Sequence, residues 1–184
     1  MQEGEPGVRM HGKKGIHQRG SRKMESMKYL IALLAVAGMA ISAMALHVHL
    51  MDQNATPPCA VSEHWDCGLV GHSRYSVFPA ITEDEKPGTL HIPVAAIGIA
   101  GYALMAVFAV MGRLRIVLEL ARIGFFCAAF LSYIEAYVIQ MWCIYCVWSQ
   151  AIIAALLLAS VVAVVMRQRR RAASMRTVLA EHVD

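Results

Sequence analysis

Four long apolar runs decide what this chain can fold into: Tyr29–Leu46, Ile92–Met111, Ile116–Val138 and Val147–Met166. Each is close to the roughly 20 residues that a helix needs to cross a bilayer. Inside lipid only a helix satisfies its own backbone within one segment. The runs therefore predict an all-α integral membrane protein, a four-transmembrane-helix bundle over residues 29–166 with a long extracytoplasmic loop, 47–91, between the first two helices. Composition agrees: 58% of the 184 residues are hydrophobic and 16% are charged, more apolar than an ordinary soluble domain. The net charge of +4 is no sign of nucleic-acid binding. The basic residues lie in blocks beside the apolar runs, where Lys and Arg set membrane orientation.

Seven Lys and Arg residues lie in segment 1–28, which is expected to be a disordered cytoplasmic extension. Met24 and Met27 are alternative starts, so much of this segment is expected to be dispensable, and whether residues 1–26 belong to the native start is left open. Arg113 and Arg115 follow the second run, and Arg167, Arg169, Arg170, Arg171 and Arg176 fill the tail, 167–184. The loop 47–91 has only Arg74 and Lys86 against six acids, and the turn 139–146 has no basic residue. Both termini are thus predicted to be cytoplasmic, with loop and turn on the opposite side. A competing reading takes the first run, with Ala43-Met44-Ala45, as a cleaved secretory signal. That would remove one span without changing the sides.

Four of the five cysteines fall on that opposite side. Cys59 and Cys67 are in the loop, Cys143 and Cys146 in the turn, while Cys127 is mid-span and reads as a small core hydrophobe. An extracytoplasmic compartment permits disulfides. A Cys143–Cys146 bridge closes too short a loop to stabilise much by chain entropy, so the pair reads better as a redox switch. With Val147 as the start of the fourth helix proper, the pair occupies its first turn or entry, where unpaired amides and the helix dipole favour the thiolate. Trp142, Tyr145 and Trp148 flank it, as an interfacial belt or as walls of a flat aromatic pocket. Glu135 is an acid within a span, where function is the default reading. It would relay protons, snorkel to the interface or bond a neighbouring helix. Glu119 and Arg122 are spaced to pair on one helix face. His47, His49, His64 and His72 are near the outer face, where the readings are a metal site or, as is more usual for scattered loop histidines, solvated side chains.

These blocks resemble the vitamin K epoxide reductase family in its bacterial form. The resemblance rests on Cys59-x7-Cys67 followed by CGLVGHSRY with Ser73 and Tyr75, on IPVAAIGIAGY at 92–102, and on YIEAYVIQMWCIYCVWS at 133–149. It covers about residues 28–166. It implies a four-helix bundle around a quinone (ubiquinone, menaquinone or vitamin K-like), with Cys143 and Cys146 as the active-site pair and Cys146 beside the ring. Cys59 and Cys67 would be the shuttle pair, and Ser73 would hold the loop over the pocket. The implied activity is oxidation of a periplasmic thioredoxin-fold (DsbA-like) protein in the bacterial inner membrane, supporting disulfide bond formation. Departures are His91 in place of a glycine, an acidic insertion at Glu83-Asp84-Glu85, and Gln150 where animal members have a tyrosine. Tyr75, Trp142, Gln150 and Glu135 are the further pocket candidates. Many bacterial relatives carry a fused thioredoxin domain; here the chain ends soon after the last span, so a separate partner is expected.

Three other readings use the same residues. The thiols would reduce a quinone epoxide; the four cysteines would staple a membrane scaffold; or they would bind zinc, although seven intervening residues are wide for a zinc knuckle.

Overall fold

The computed structural model describes residues 10–52, 57, 59–62, 64–84 and 88–181. The order is α1 (Met10–His49), α2 (Cys67–Gly71), β1 (Val77–Phe78), β2 (Ile92–Pro93), α3 (Val94–Val110), α4 (Leu114–Ile134), a π turn (Glu135–Ile139) and α5 (Ile144–Glu181). The four long helices carry the four apolar runs. α1 packs on α3 and α5, and α4 packs on the same two, closing a ring. Ile31 and Ala35 of α1, Met105 of α3, Val117 of α4 and Leu156 of α5 are buried in its centre.

Two helical stretches, Met24–His49 and Ile144–Arg176, are long and apolar enough to cross a bilayer. α3 is apolar but shorter, at 17 residues. α4 carries Arg115, Glu119 and Arg122 in its first half; Arg122 pairs with Glu119 at 3.0 Å on an exposed face. The described part of segment 1–28 departs from expectation, because α1 is helical from Met10 rather than disordered. Residues 1–9 lie outside the described residues. α5 likewise runs on through the basic tail to Glu181. Extending a helix already fixed in its apolar part adds one hydrogen bond per residue, without a new nucleus.

Small residues set how closely α1 meets α3. Gly38 and Ser42 are one turn apart on α1. A Cβ at Gly38 would overlap the ring of Tyr102, and one at Gly98 would come 3.0 Å from Ser42 Oγ. Such positions let membrane helices approach. The Tyr102 ring cannot easily yield: it is 4% exposed, and its hydroxyl donates to the Ser149 carbonyl at 3.0 Å. Gly38→Ala is therefore expected to cost about 1–3 kcal/mol. A lowered thermal midpoint in detergent would register this; an unchanged one would mean that the Tyr102 ring moves aside freely.

The segment between α1 and α3 folds back onto the end of α1. A ring nitrogen of His49 meets the Gly71 carbonyl, and His72 bridges the carbonyls of Gly68 at 2.8 Å and Met51 at 3.1 Å. The two rings stack, with centroids 6.1 Å apart. These histidines, expected to be solvated, instead fasten α2 to α1. Farther along, β1 and β2 pair antiparallel, Val77 opposite Pro93 and Phe78 opposite Ile92. Of the acidic insertion, Glu83 and Asp84 form a turn, and Glu85 lies outside the described residues.

Candidate active site

Asp66 begins the site. It is the N-cap of α2, its Oδ1 accepting from the amides of Gly68 at 2.8 Å and Leu69 at 3.1 Å. That cap fixes the first helical residue, Cys67, which is disulfide-bonded to Cys59 with Cα atoms 5.8 Å apart. Both cysteines are buried. An N-cap of this kind contributes about 1 kcal/mol. Asp66→Ala is expected to make the Cys59–Cys67 bond about fivefold more reducible by glutathione, and Asp66→Asn, which keeps the acceptor, to restore it. Equal reduction rates in all three proteins would mean that the cap does not hold the pair.

The loop is stitched to the residues just before the CxxC. Trp65 and Trp142 form an isolated parallel bridge. The Asp66 amide donates to the Trp142 carbonyl at 3.1 Å, and the Trp142 amide to the His64 carbonyl at 2.9 Å. Their indole rings lie 6.4 Å apart. Asp66 precedes Cys67 and Trp142 precedes Cys143, so the bridge brings Cys67 and Cys143 into one register. Cys59, Cys67 and Cys143 share one buried apolar cluster with Val48 and Val70, and Cys146 packs against it.

α5 starts at Ile144, three residues before the expected start. Cys143 immediately precedes it, and its carbonyl accepts the Val147 amide at 3.1 Å. Cys146 lies in the first turn. Both are free thiols, Cys143 buried and Cys146 partly so. The Cys146 thiol beside it, helped by the amides of Cys146 and Tyr145, holds the Cys143 thiol below its ordinary pKa, against burial and the charge of Glu135. Cys143 is thus the more readily formed thiolate of the two at this helix start.

Glu135 comes from the other side. The π turn widens the end of α4 by one residue and closes at Gln140, whose φ is 59°. Such turns are common at functional sites. Glu135 is 2% exposed, and its Oε2 accepts the Cys143 amide at 3.2 Å. It neither snorkels nor reaches a lipid face.

A cavity of about 330 Å³ joins these groups. Cys67, Ser73 and Tyr75 line it from the segment between α1 and α3, Tyr102 from α3, Glu135 from the π turn, Cys143 from just before α5 and Cys146 from its first turn. Its volume is at the lower end of the ~300–1,000 Å³ typical of ligand sites, enough for one flat ring, and its walls are mainly apolar. It also meets α3 and α4 at Ile97, Ile123 and Cys127, all exposed. Cys127 is therefore not the buried core residue expected.

Two pocket candidates stand elsewhere. Trp142 is outside the cavity lining and serves the bridge to Trp65. Gln150 does not line the cavity either, and its Oε1 is buried without a hydrogen-bond partner among the described residues. The sequence reading passed over Tyr102, although a tyrosine inside an apolar run needs a partner for its hydroxyl; Ser149 supplies it. Among the described residues, no cluster of three or more His, Cys, Asp or Glu is placed to hold a metal ion.

No curated protein matches the chain. A family model described as "Vitamin K epoxide reductase family" matches residues 29–161, which include both cysteine pairs, Glu135 and every other cavity residue named above. The chain belongs to the vitamin K epoxide reductase family, and so to a family of quinone-using membrane oxidoreductases.

Proposed function

We propose that this chain takes two electrons from the dithiol of a periplasmic thioredoxin-fold protein and delivers them to quinone in a bacterial inner membrane. In this reading all four long helices cross the membrane, both termini are cytoplasmic, and the loop and CxxC face the periplasm. The observation that carries the proposal is the Trp65–Trp142 bridge. It joins the loop that carries the Cys59–Cys67 disulfide to the segment that carries the free Cys143 and Cys146 thiols, and Cys67, Cys143 and Cys146 line one cavity.

The electrons balance as follows. The partner's dithiol reduces Cys59–Cys67 and leaves as a disulfide. The Cys67 thiolate attacks Cys143 of an oxidised Cys143–Cys146 pair, and Cys146 leaves as a thiolate. Cys59 then attacks Cys67, which restores the outer disulfide and frees Cys143. The reduced inner pair gives two electrons and two protons to the quinone and closes its own disulfide. Low-pKa thiols leave readily in such exchanges, which suits Cys143. The cavity mouth at Ile97, Ile123 and Cys127 is apolar, so a ligand dissolved in lipid would reach the thiols without crossing water.

The test is quinone-dependent oxidation of a reduced thioredoxin-fold donor by the full chain in detergent, with Cys146→Ala alongside. Turnover that needs both quinone and Cys146 is expected. No turnover with several donors and quinones, but reduction of a quinone epoxide by dithiothreitol, would assign the same thiols to the epoxide.

A further inference from the structure

Glu135 is a costly residue to bury, and its bonds do not account for it. Oε2 accepts the Cys143 amide, the Cys146 thiol adjoins the carboxyl, and Oε1 is buried with no backbone or polar side-chain hydrogen bond among the described residues. The carboxyl lines the cavity and sits against both reactive thiols. A purely structural acid would have both oxygens satisfied.

We infer that Glu135 is a catalytic proton carrier between the inner thiols and the cavity ligand. The inference rests on the proposed quinone reduction. As the Cys143–Cys146 bond forms, two S–H bonds break, two electrons pass to the quinone, and its two oxygens gain two protons. Glu135 takes the Cys146 proton on its carboxylate and passes it to the nearer quinone oxygen; the Cys143 proton goes to the other oxygen. The carboxylate is regenerated and nothing else is consumed. The facing titratable groups are Cys143 and Cys146 at the start of α5, with His49 of α1, Tyr102 of α3, Cys127 of α4, Tyr75 of the loop and Tyr145 of α5 across the cavity. Among the described residues no Lys, Arg or Asp lines it, so none of these charges competes with Glu135.

This role separates two readouts that a structural role would move together. A carboxylate beside thiols opposes thiolate formation. In Glu135→Gln, alkylation of the reduced thiols by iodoacetamide should therefore proceed as fast as in wild type or faster, at neutral pH. Quinone reduction driven by dithiothreitol should fall by about 10²-fold or more, the usual scale of a lost proton-transfer group. The wild-type rate should fall as acid protonates the carboxylate, a limb absent in Glu135→Gln, and Glu135→Asp should recover part of the rate. A Glu135→Gln protein with the wild-type rate and pH profile would overturn the inference and leave quinone reduction standing. Alkylation and turnover falling together, with a lower thermal midpoint, would overturn it in favour of a structural acid. Wild type without quinone turnover would overturn both.

Discussion

Cys146→Ala is expected to convert a trace species, a Cys67–Cys143 mixed disulfide, into a major one. In this variant the Cys143 thiol has lost its resolving partner. Its thiolate attacks the Cys67 sulfur, Cys59 leaves as a thiolate, and one disulfide replaces another with no oxidant required. Cys67 lines the cavity together with Cys143, and Cys59 does not, so Cys67 is the expected partner, and all three cysteines share one buried cluster. With no added dithiol, Cys59 is the thiol placed to reverse the step. Acid quenching, alkylation and non-reducing peptide mapping would identify the linked pair, while quinone turnover by the same protein drops to background. A Cys59–Cys143 link would reverse the order of the outer pair. Neither link would remove the direct exchange on which the relay depends.

The positions of the four helices and of both cysteine pairs were legible because hydrophobic run length and cysteine spacing are one-dimensional signals. The α5 start at Ile144 lies within three residues of expectation. What joined the pairs was not legible. The contacts of Asp66 with Trp142 and of Trp142 with His64 are backbone hydrogen bonds, which any residue can make and no residue type announces. The inward turn of Glu135 depends on a π turn closed by Gln140 in the left-handed region, where glycine or asparagine would have given warning. Gln150 was placed by resemblance alone, and the helix turns it away from the cavity lining. Segment 10–28, rich in glycine and charge, reads as disordered when taken alone; it is helical as a continuation of the apolar helix that follows.

Removing the outer pair should divide the relay in two. Cys67→Ser is expected to lower partner-driven quinone reduction by more than about tenfold, to background, yet to keep dithiothreitol-driven reduction within about threefold of wild type. The outer pair exists, in this reading, because a folded partner is too large for the cavity. Cys143 is buried beneath the loop, whereas a small dithiol can enter the cavity that reaches Cys143 and Cys146. The comparison needs both donors on one protein preparation, with Asp66→Ala as a graded case that loosens α2 but retains both sulfurs. Loss of both activities in Cys67→Ser would assign the loop a different task, sealing the cavity against water. Loss of neither would let the partner's thiol reach Cys143 directly and leave the outer disulfide a staple between α2 and the preceding loop. The predicted split arises only if electrons pass from sulfur to sulfur across the Trp65–Trp142 bridge.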